Sequence, residues 1–340
     1  MSIAQSASER RNIKRLPVWA VLISFLVIVG LGALLVGPVS ISPGEVLLAL
    51  AGQATEVHRA IVLEIRLPRL LLAMGVGATL AMAGAVLQGY LRNPLADSSV
   101  LGSSNAAAFG AVIALYFGYA NRYPLILPGL AIGMSLLALS CVFGMMRRRV
   151  TAVALILAGL AVGSLAGACI SLALNLSSNP FAMSEIAFWL LGSLEDRSMM
   201  HVGLSLPLMM IAWAIFYSQR NALDALALGE EAAESMGIHM RRLQAWIVLG
   251  VSIGVGAAVA VSGAIGFVGL VVPHLLRPVV GHRPSRLLLP SAIAGALLLT
   301  LSDSFVRLLP TPSELRLGVV TAFFGIPFFI YLLMRQRRMF

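Results

Sequence analysis

The sequence predicts an all-α membrane protein, a polytopic bundle of about ten transmembrane helices. Apolar residues make up 59% of the 340 positions, and the mean hydropathy of +0.94 is far above that of ordinary soluble domains. Charged residues contribute only 11%, and most of them lie between long apolar stretches. Because roughly 20 apolar helical residues cross the hydrocarbon core of a bilayer, each such stretch is a predicted span.

The first stretch is the sequence VWAVLISFLVIVGLGALLVG at 18–37, which follows a predicted N-terminal tail at 1–17. A basic segment before an apolar stretch is also the pattern of a secretion signal peptide. This stretch is longer than a typical signal core and lacks an obvious A-x-A cleavage site, so a retained helix is favoured. Residues 18–335 then form a single predicted transmembrane domain.

The remaining spans are separated by polar residues. They are predicted at 70–90, 99–119, 124–146, 150–176, 199–218, 243–262, 265–280, 286–306 and 315–334. The stretch at 265–280 is short and contains Pro273, an interruption that is tolerated where protein surrounds the backbone.

The distribution of basic residues predicts the orientation of the bundle. If the N-terminus is cytoplasmic, 16 of the 24 basic residues fall on the inner side and 7 on the outer side, with Arg277 near a helix end. Such a bias predicts an even number of crossings and both termini in the cytoplasm. The formal charge of +10 therefore reflects topology. A nucleic-acid partner is not predicted, because these residues are scattered over loops.

Few residues in the spans have the chemistry of a catalytic or ion-coupling site. The exceptions are His274, Arg277 and Asp303. His274 is either a hydrogen-bonded side chain beside the Pro273 kink or a proton relay, as in an ion-coupled secondary transporter. No catalytic residues, metal ligands or cofactor are predicted. A phosphate-binding loop of the G-x-x-x-x-G-K-[ST] type is absent because Lys14, the single lysine, precedes an arginine.

Small residues recur in several spans at a spacing that favours close helix packing. Glycines four residues apart occur at 129 and 133, at 159, 163 and 167, and at 250 and 254. The alternative is a smooth wall along a pathway. Cys141 and Cys169 lie in apolar stretches and are interpreted as packing residues.

The segment LGEEAAESMGI, at 228–238, is a polar island in this apolar chain. As a helix it places Glu230 and Glu231 in the first turn, where acidic side chains are stabilised, and Gly237 just after the last turn. One face carries apolar residues four apart, namely Leu228, Ala232 and Met236. A helix of about ten residues is marginal alone, so it is either stabilised by a partner surface or is a solvated loop helix.

This segment resembles the coupling helix of the FecCD-type (BtuC-like) permeases, the membrane subunits of ABC importers for iron–siderophore, haem and cobalamin. Further similarity occurs, in order, over residues 45–335. The matching segments include RLPRLLLAMGVGATLAMAGAVLQGYLRNPLADSSVLGSSNAAAFGA from Arg66, WLLGSLEDRS from Trp189, SGAIGFVGLVVPHLLRPVVG from Ser262 and ELRLGVVTAFFGIPFFIYLL from Glu314.

The resemblance implies a type II ABC importer permease fold with ten helices in the bacterial cytoplasmic membrane. It implies a second permease subunit, as a homodimer or a homologous heterodimer, with two cytoplasmic ABC ATPase subunits and a periplasmic substrate-binding protein. ATP is then used by the partner subunit. The implied cargo is an iron chelate, haem or a ferric siderophore, with cobalamin as an alternative.

The resemblance also assigns residues. The coupling helix, at about 226–238, would dock into the ATPase through Leu228, Gly229, Glu230, Glu231, Ala232, Met236 and Gly237. The binding protein would dock on Arg66, Arg69 and Arg307, which as interfacial arginines would otherwise extend towards lipid headgroups. Asn175, Ser177, Ser178 and Asn179 are candidates for the outer gate, or helix caps, and Val150 and Thr151 for the inner gate.

Two positions depart from the family pattern. Ser98 and Ser99 follow NPLAD where proline and glycine are usual, which predicts a less rigid turn. Arg316 stands where the family usually has the proline of ELP, and it adds a charge on the outer side of the predicted bundle. The second change alters the expected docking surface for a binding protein.

Overall fold

A computed structural model describes residues 18–145, 152–177, 180–311 and 314–337, and within these ranges the chain is helical and contains no strand. The helices, in order, are α1 (Val18–Leu35), α2 (Pro43–Leu50), α3 (Glu56–Ala60), α4 (Leu67–Tyr90), α5 (Ser103–Tyr116), α6 (Tyr119–Arg122), α7 (Ile126–Gly144), α8 (Ala152–Leu176), α9 (Pro180–Leu190), α10 (Met199–Ser218), α11 (Arg220–Leu226), α12 (Glu230–Ser235), α13 (Met240–Ser262), α14 (Val268–Val280), α15 (Pro284–Leu308) and α16 (Leu317–Arg337). A π-helical turn, Ile61–Arg66, joins α3 to α4.

The predicted all-α membrane fold is confirmed. In the described part of the chain, seven helical stretches are long and apolar enough to cross a membrane. Three shorter apolar helices, Ser103–Tyr116, Val268–Val280 and Leu317–Phe328, occupy the other predicted spans. Each of the ten predicted spans therefore contains a helix, although α5 and α14 are shorter than predicted.

Successive long helices run in opposite directions between two ends of the bundle. We call one the α2 end, since α2 and the C-terminal end of α1 lie there, and the other the α12 end, since α11 and α12 join α10 to α13 there. α4 runs from the α2 end to the α12 end, and α15 returns in the opposite direction. Both predicted functional surfaces therefore lie at the ends of the same helices.

α4 is the central helix. The apolar window of its helical stretch is 89% buried, whereas that of α1 is 17% buried, so α1 lies at the periphery. α4 and α15 approach so closely at Gly77 and Gly295 that a Cβ added to Gly77 would lie 2.2 Å from the Gly295 carbonyl oxygen. A polar contact supplements this packing, because Trp213 Nε1 on α10 donates to Thr79 Oγ1 at 2.8 Å.

An irregular segment inside the bundle explains why α5 is shorter than its predicted span. Residues 91–102 re-enter the interior, and α5 starts only where Gly102 packs against the backbone of α8. The buried Asp97 carboxylate accepts the Ser99 hydroxyl at 2.5 Å, and Ser98 Oγ lies 3.2 Å from Ser104 Oγ. These side chains satisfy polar groups that lipid could not. Ser98 and Ser99, which depart from the family pattern, are thus hydrogen-bonded parts of this turn.

Candidate functional sites at the two ends of the bundle

The predicted coupling segment forms α12, a six-residue helix at the α12 end. Glu230 and Glu231 occupy its first turn, where the positive end of the helix dipole favours acidic side chains. Gly237 ends the helix at φ +84°, its N–H donating to the Glu234 carbonyl and that of Ile238 to the Ala233 carbonyl. This is the Schellman arrangement, in which a left-handed residue closes the last turn, and it agrees with the predicted glycine cap.

The helix is shorter than the predicted 226–238. Gly229 has φ +118°, which side chains rarely adopt, and it separates α11 from α12. Leu228 and Met236 therefore flank the helix instead of lying on one face of it with Ala232. Both are exposed, at 73% and 63% of their surface, beside the two exposed glutamates. The segment presents an acidic helix between two apolar side chains.

Buried contacts fix this segment to the rest of the bundle. Leu223, Leu226 and Ala233 are each at most 1% exposed. The Asp224 carboxylate accepts the backbone N–H and the hydroxyl of Ser285, at 2.9 and 2.6 Å, in the first turn of α15. These two hydrogen bonds connect α11 directly to α15.

The predicted docking arginines lie at the α2 end, but their guanidinium groups point inward. Arg66 is 4% exposed, and its Nη1 donates to the Leu34 and Leu35 carbonyls at 2.7 and 3.1 Å. Its Nη2 donates to the Val39 carbonyl. Arg66 thereby closes the C-terminal end of α1, where carbonyl groups lack helical partners.

Arg69 and Arg307 share acidic partners. Arg69 Nε donates to Asp303 at 2.8 Å, and its two terminal nitrogens bind the Glu314 carboxylate. Arg307 Nε lies 3.1 Å from the other oxygen of Asp303, and its Nη1 donates to the Ala33 and Val36 carbonyls. This network joins α1, α4, α15 and the segment before α16, a structural role that sequence reasoning missed.

The three arginines line one wall of a cavity of about 670 Å³ at the α2 end. The predicted alternative, side chains extended towards lipid headgroups, does not describe them in this structure, because their partners are internal. Docking of another protein on them stays a prediction.

A second cavity, of about 740 Å³, shares residues 195–197 with the first. Arg197 lies in the connection before α10, and burial lowers its pKa, an effect that the neighbouring Asp196 opposes. Arg316 Nη1 donates to Glu195 at 2.7 Å, and the Arg316 guanidinium lies 5.2 Å from the Phe188 ring centroid on α9. The residue that departs from the family pattern thus connects α9, the start of α16 and the wall between the cavities.

The candidate gate residues are only partly described. Asn175, near the end of α8, is exposed and its side chain donates to the Ser171 carbonyl at 2.9 Å. Ser177 ends the described part of this segment, and α9 begins at Pro180. Ser178, Asn179, Val150 and Thr151 lie outside the described residues. Within the described ranges, no three His, Cys, Asp or Glu side chains are grouped to hold a metal ion.

Comparisons with known proteins agree with this architecture. Residues 24–335 match the FecCD transport family. The chain is 40% identical to the vitamin B12 import system permease protein BtuC of Vibrio cholerae over 86% of this chain and 88% of that one. It is 39% identical to the Fe(3+) dicitrate transport system permease protein FecD of Escherichia coli over 84% and 88%. A solved ABC transporter described as of the metal-chelate type, in an inward-facing conformation, has a TM-score of 0.82 at 31% identity, covering 93% of this chain and 98% of that one.

Proposed function

Since the chain belongs to the FecCD transport family, we propose that it is the permease subunit of an ABC importer that moves an iron chelate, haem or a ferric siderophore, into the cytoplasm. The observation that carries this proposal is α12, a short acidic helix flanked by exposed apolar side chains and preceded by α11, which is hydrogen-bonded to α15. An isolated helix of this length is unstable in water, so its order comes from these anchors.

ATP hydrolysis belongs, in this proposal, to two separate cytoplasmic ABC ATPase subunits. The patch of Leu228, Glu230, Glu231 and Met236 offers a docking partner two exposed apolar side chains and, between them, two acidic ones. The permease itself carries no catalytic residues or cofactor. Closure of the two ATPases would move α12 and switch the access of the bundle from one side to the other.

The α12 end faces the cytoplasm in the proposed orientation, and both termini are cytoplasmic. The excess of arginine in the connections at the α12 end supports this orientation. The α2 end then faces the periplasm of a bacterial cell, where a substrate-binding protein would dock near Arg66, Arg69 and Arg307. Because these side chains have internal partners, a carboxylate from the binding protein must compete with Asp303 and Glu314.

A second permease subunit, identical or homologous, would complete the pathway. α8 has an exposed apolar surface that a helix of a second subunit, or lipid, would cover. This surface includes the leucines at 157, 160, 165 and 172. Asn175 and Ser177 lie where α8 leads into α9, which is the position proposed for the outer gate. The inner gate is assigned to Val150 and Thr151 from the family resemblance alone.

The cargo is the least constrained part of the proposal. Relatives of similar identity are named for vitamin B12 import and for Fe(3+) dicitrate transport, so cobalamin is the alternative cargo. An ion-coupled secondary transporter is the alternative from another class. The chelate retained by the companion binding protein would identify the cargo.

Reconstitution distinguishes the two classes. We expect the chain in liposomes to hydrolyse no ATP alone and to take up haem, a ferric siderophore or cobalamin only with ATP, the ATPase and the binding protein. Uptake driven by a proton or sodium gradient without ATP would contradict the proposal. The measurement is accumulation of labelled chelate together with phosphate release.

Charge reversal tests the docking role of α12. Replacing Glu230 and Glu231 by arginine should remove ATP-dependent uptake, because it reverses the charge of the exposed first turn. Glu56→Arg, an exposed acidic residue in the first turn of α3 at the other end, is the matched control and should retain uptake. If the double variant folds and transports normally, the docking role of α12 is wrong.

A further inference from the structure

A basic cavity of about 510 Å³ lies at the α12 end, where α4 and α14 end and α15 begins. Arg92, Arg277, His274 and His282 line it, and the described residues of its lining include no carboxylate. Two acidic side chains lie near it, and one of them faces a cation of the lining. Glu230 lies 3.7 Å from Arg92, and Asp224 accepts from Ser285. Among the described residues Arg277 forms no ion pair, so the lining keeps a net positive charge.

Arg277, one cation of this cavity, is positioned by a buried polar side chain. Gln88 is 2% exposed, and its amide nitrogen donates to the Gly269 carbonyl at 3.1 Å. This bond orients the Gln88 oxygen, which accepts from Arg277 Nη2 at 2.6 Å. One nitrogen of Arg277 is thus fixed while the other donors remain for a ligand in the cavity. An anion is the chemical complement of such a site.

Exposed apolar side chains lie on the helices that carry part of this lining, and Leu275 and Val279 directly follow the lining residues His274 and Pro278 in the sequence. Leu275 and Val279, on α14, are 54% and 64% exposed, and Leu289 on α15 is 49% exposed. A ligand that fills the cavity and covers these side chains has an anionic head and apolar chains. Basic pockets between transmembrane helices near one face of the bilayer bind lipid headgroups in this way.

We propose that this cavity binds the phosphodiester headgroup of an anionic phospholipid in the leaflet at the α12 end. The headgroup contacts Arg277, Arg92 and His282, and its acyl chains cover Leu275 and Val279. The lipid therefore bridges α4, α14 and α15. It also lies beside Ala227, which directly follows α11 and lines the cavity. Occupancy stabilises the arrangement that holds α11 and α12 in place.

The test is a lipid titration of the full chain in detergent, with thermal unfolding as the measurement. Phosphatidylglycerol should raise the unfolding midpoint saturably, whereas phosphatidylcholine and inorganic phosphate should not. Loss of one charged hydrogen bond corresponds to about tenfold in affinity. Arg277→Gln and Arg92→Gln should therefore each weaken phosphatidylglycerol binding by about that factor. Arg241→Gln, an exposed arginine at the same end outside the cavity, is the matched control and should retain it.

Arg277 is partly buried, so His282→Gln, at an exposed side chain, provides a second variant in case Arg277→Gln does not fold. Equal binding of phosphatidylcholine, or saturation by phosphate alone, would overturn the assignment to an anionic lipid. Lipid affinity that is unchanged in Arg92→Gln and His282→Gln would also overturn it. So would loss of ATPase association in these variants without a change in lipid affinity, because a protein carboxylate would then occupy the cavity.

Discussion

At the scale of single residues, burial separates two kinds of ion pair at the α2 end. Arg69 and Asp303 are 10% and 2% exposed, whereas Arg316 and Glu195 are 24% and 37% exposed. Breaking a buried pair leaves a charge without water or partner, whereas the members of an exposed pair regain hydration. The nitrogen–oxygen distances of the two pairs are similar, at 2.8 and 2.7 Å. Because their burial differs, we expect the two pairs to contribute very differently to the free energy of unfolding.

Asp303→Asn should destabilise the chain severely. The substitution keeps the shape of the side chain but removes the charge that faces both Arg69 and Arg307. We expect the free energy of unfolding to fall by about 3 to 5 kcal/mol, the usual cost of breaking a buried ion pair. Chemical unfolding in detergent, followed by circular dichroism, measures it.

Arg316→Gln is the control for that experiment. It breaks an ion pair of similar length at the same end, but the two side chains are partly exposed. The free energy of unfolding should therefore fall by less than about 1 kcal/mol. Equal losses in the two variants would mean that burial does not distinguish these pairs.

The sequence predicted the arginines of the α2 end but not their partners. Arg69 was singled out through a family motif, and that motif describes a docking surface. Its contacts, Asp303 and Glu314, lie 234 and 245 positions away along the chain. No local pattern relates residues at such separations. From the sequence alone, Asp303 is only an unusual charge within its predicted span.

At the scale of elements, local chemistry predicts that α12 exists and how its ends are stabilised, but it does not predict the length of the helix. Two glutamates in the first turn and the glycine cap follow from helix-end electrostatics and backbone freedom, and both are present. The break at Gly229 was missed, because a glycine beside a leucine is equally compatible with a continuing helix. Its φ of +118° depends on how α11 packs against α4 and α15.

The glycine spacing was a weaker guide to helix packing. Gly250 and Gly254 do pack closely, against Phe216 and Ala212 on α10, but a Cβ at Gly129 or Gly133 would meet no described atom within 4 Å. At the close approach of α4 and α15, Gly77 and Gly295 have no second glycine four residues away, although Ala73 and Ala81 continue the small-residue spacing in α4. Close packing depends on which helices become neighbours, and this information is non-local.

Gly77→Ala should therefore destabilise the bundle, whereas Gly133→Ala should not. The added methyl group at Gly77 would lie 2.2 Å from the Gly295 carbonyl oxygen, which forces α4 and α15 apart. Overpacking of this kind costs about 1 to 3 kcal/mol or more. The thermal unfolding midpoint of both variants in detergent checks it. An unchanged midpoint in Gly77→Ala would contradict the tight crossing.

At the scale of the whole molecule, α15 connects the two ends that carry the proposed docking surfaces. Its first turn is held to α11 by Asp224 and Ser285, and its last turns carry Asp303 and Arg307. Between these two ends, α15 packs closely against α4 at Gly295 and Gly77. Composition and periodicity predicted that such a helix spans the membrane. They could not show that it links α12 to the arginine network, because both links are tertiary contacts.

Asp224→Ala should uncouple ATP hydrolysis from transport while the chain remains folded. The substitution removes the acceptor for two donors of Ser285, a capping contact worth about 1 kcal/mol. That energy corresponds to about fivefold in the population of the coupled arrangement, so the chelate transported per ATP should fall by up to that factor. Asn221→Ala, exposed on the same helix, is the matched control. The ratio of chelate uptake to phosphate release in liposomes with the ATPase and binding protein measures the effect. A normal ratio in folded Asp224→Ala would show that α11 acts on the bundle through α4 and not through α15.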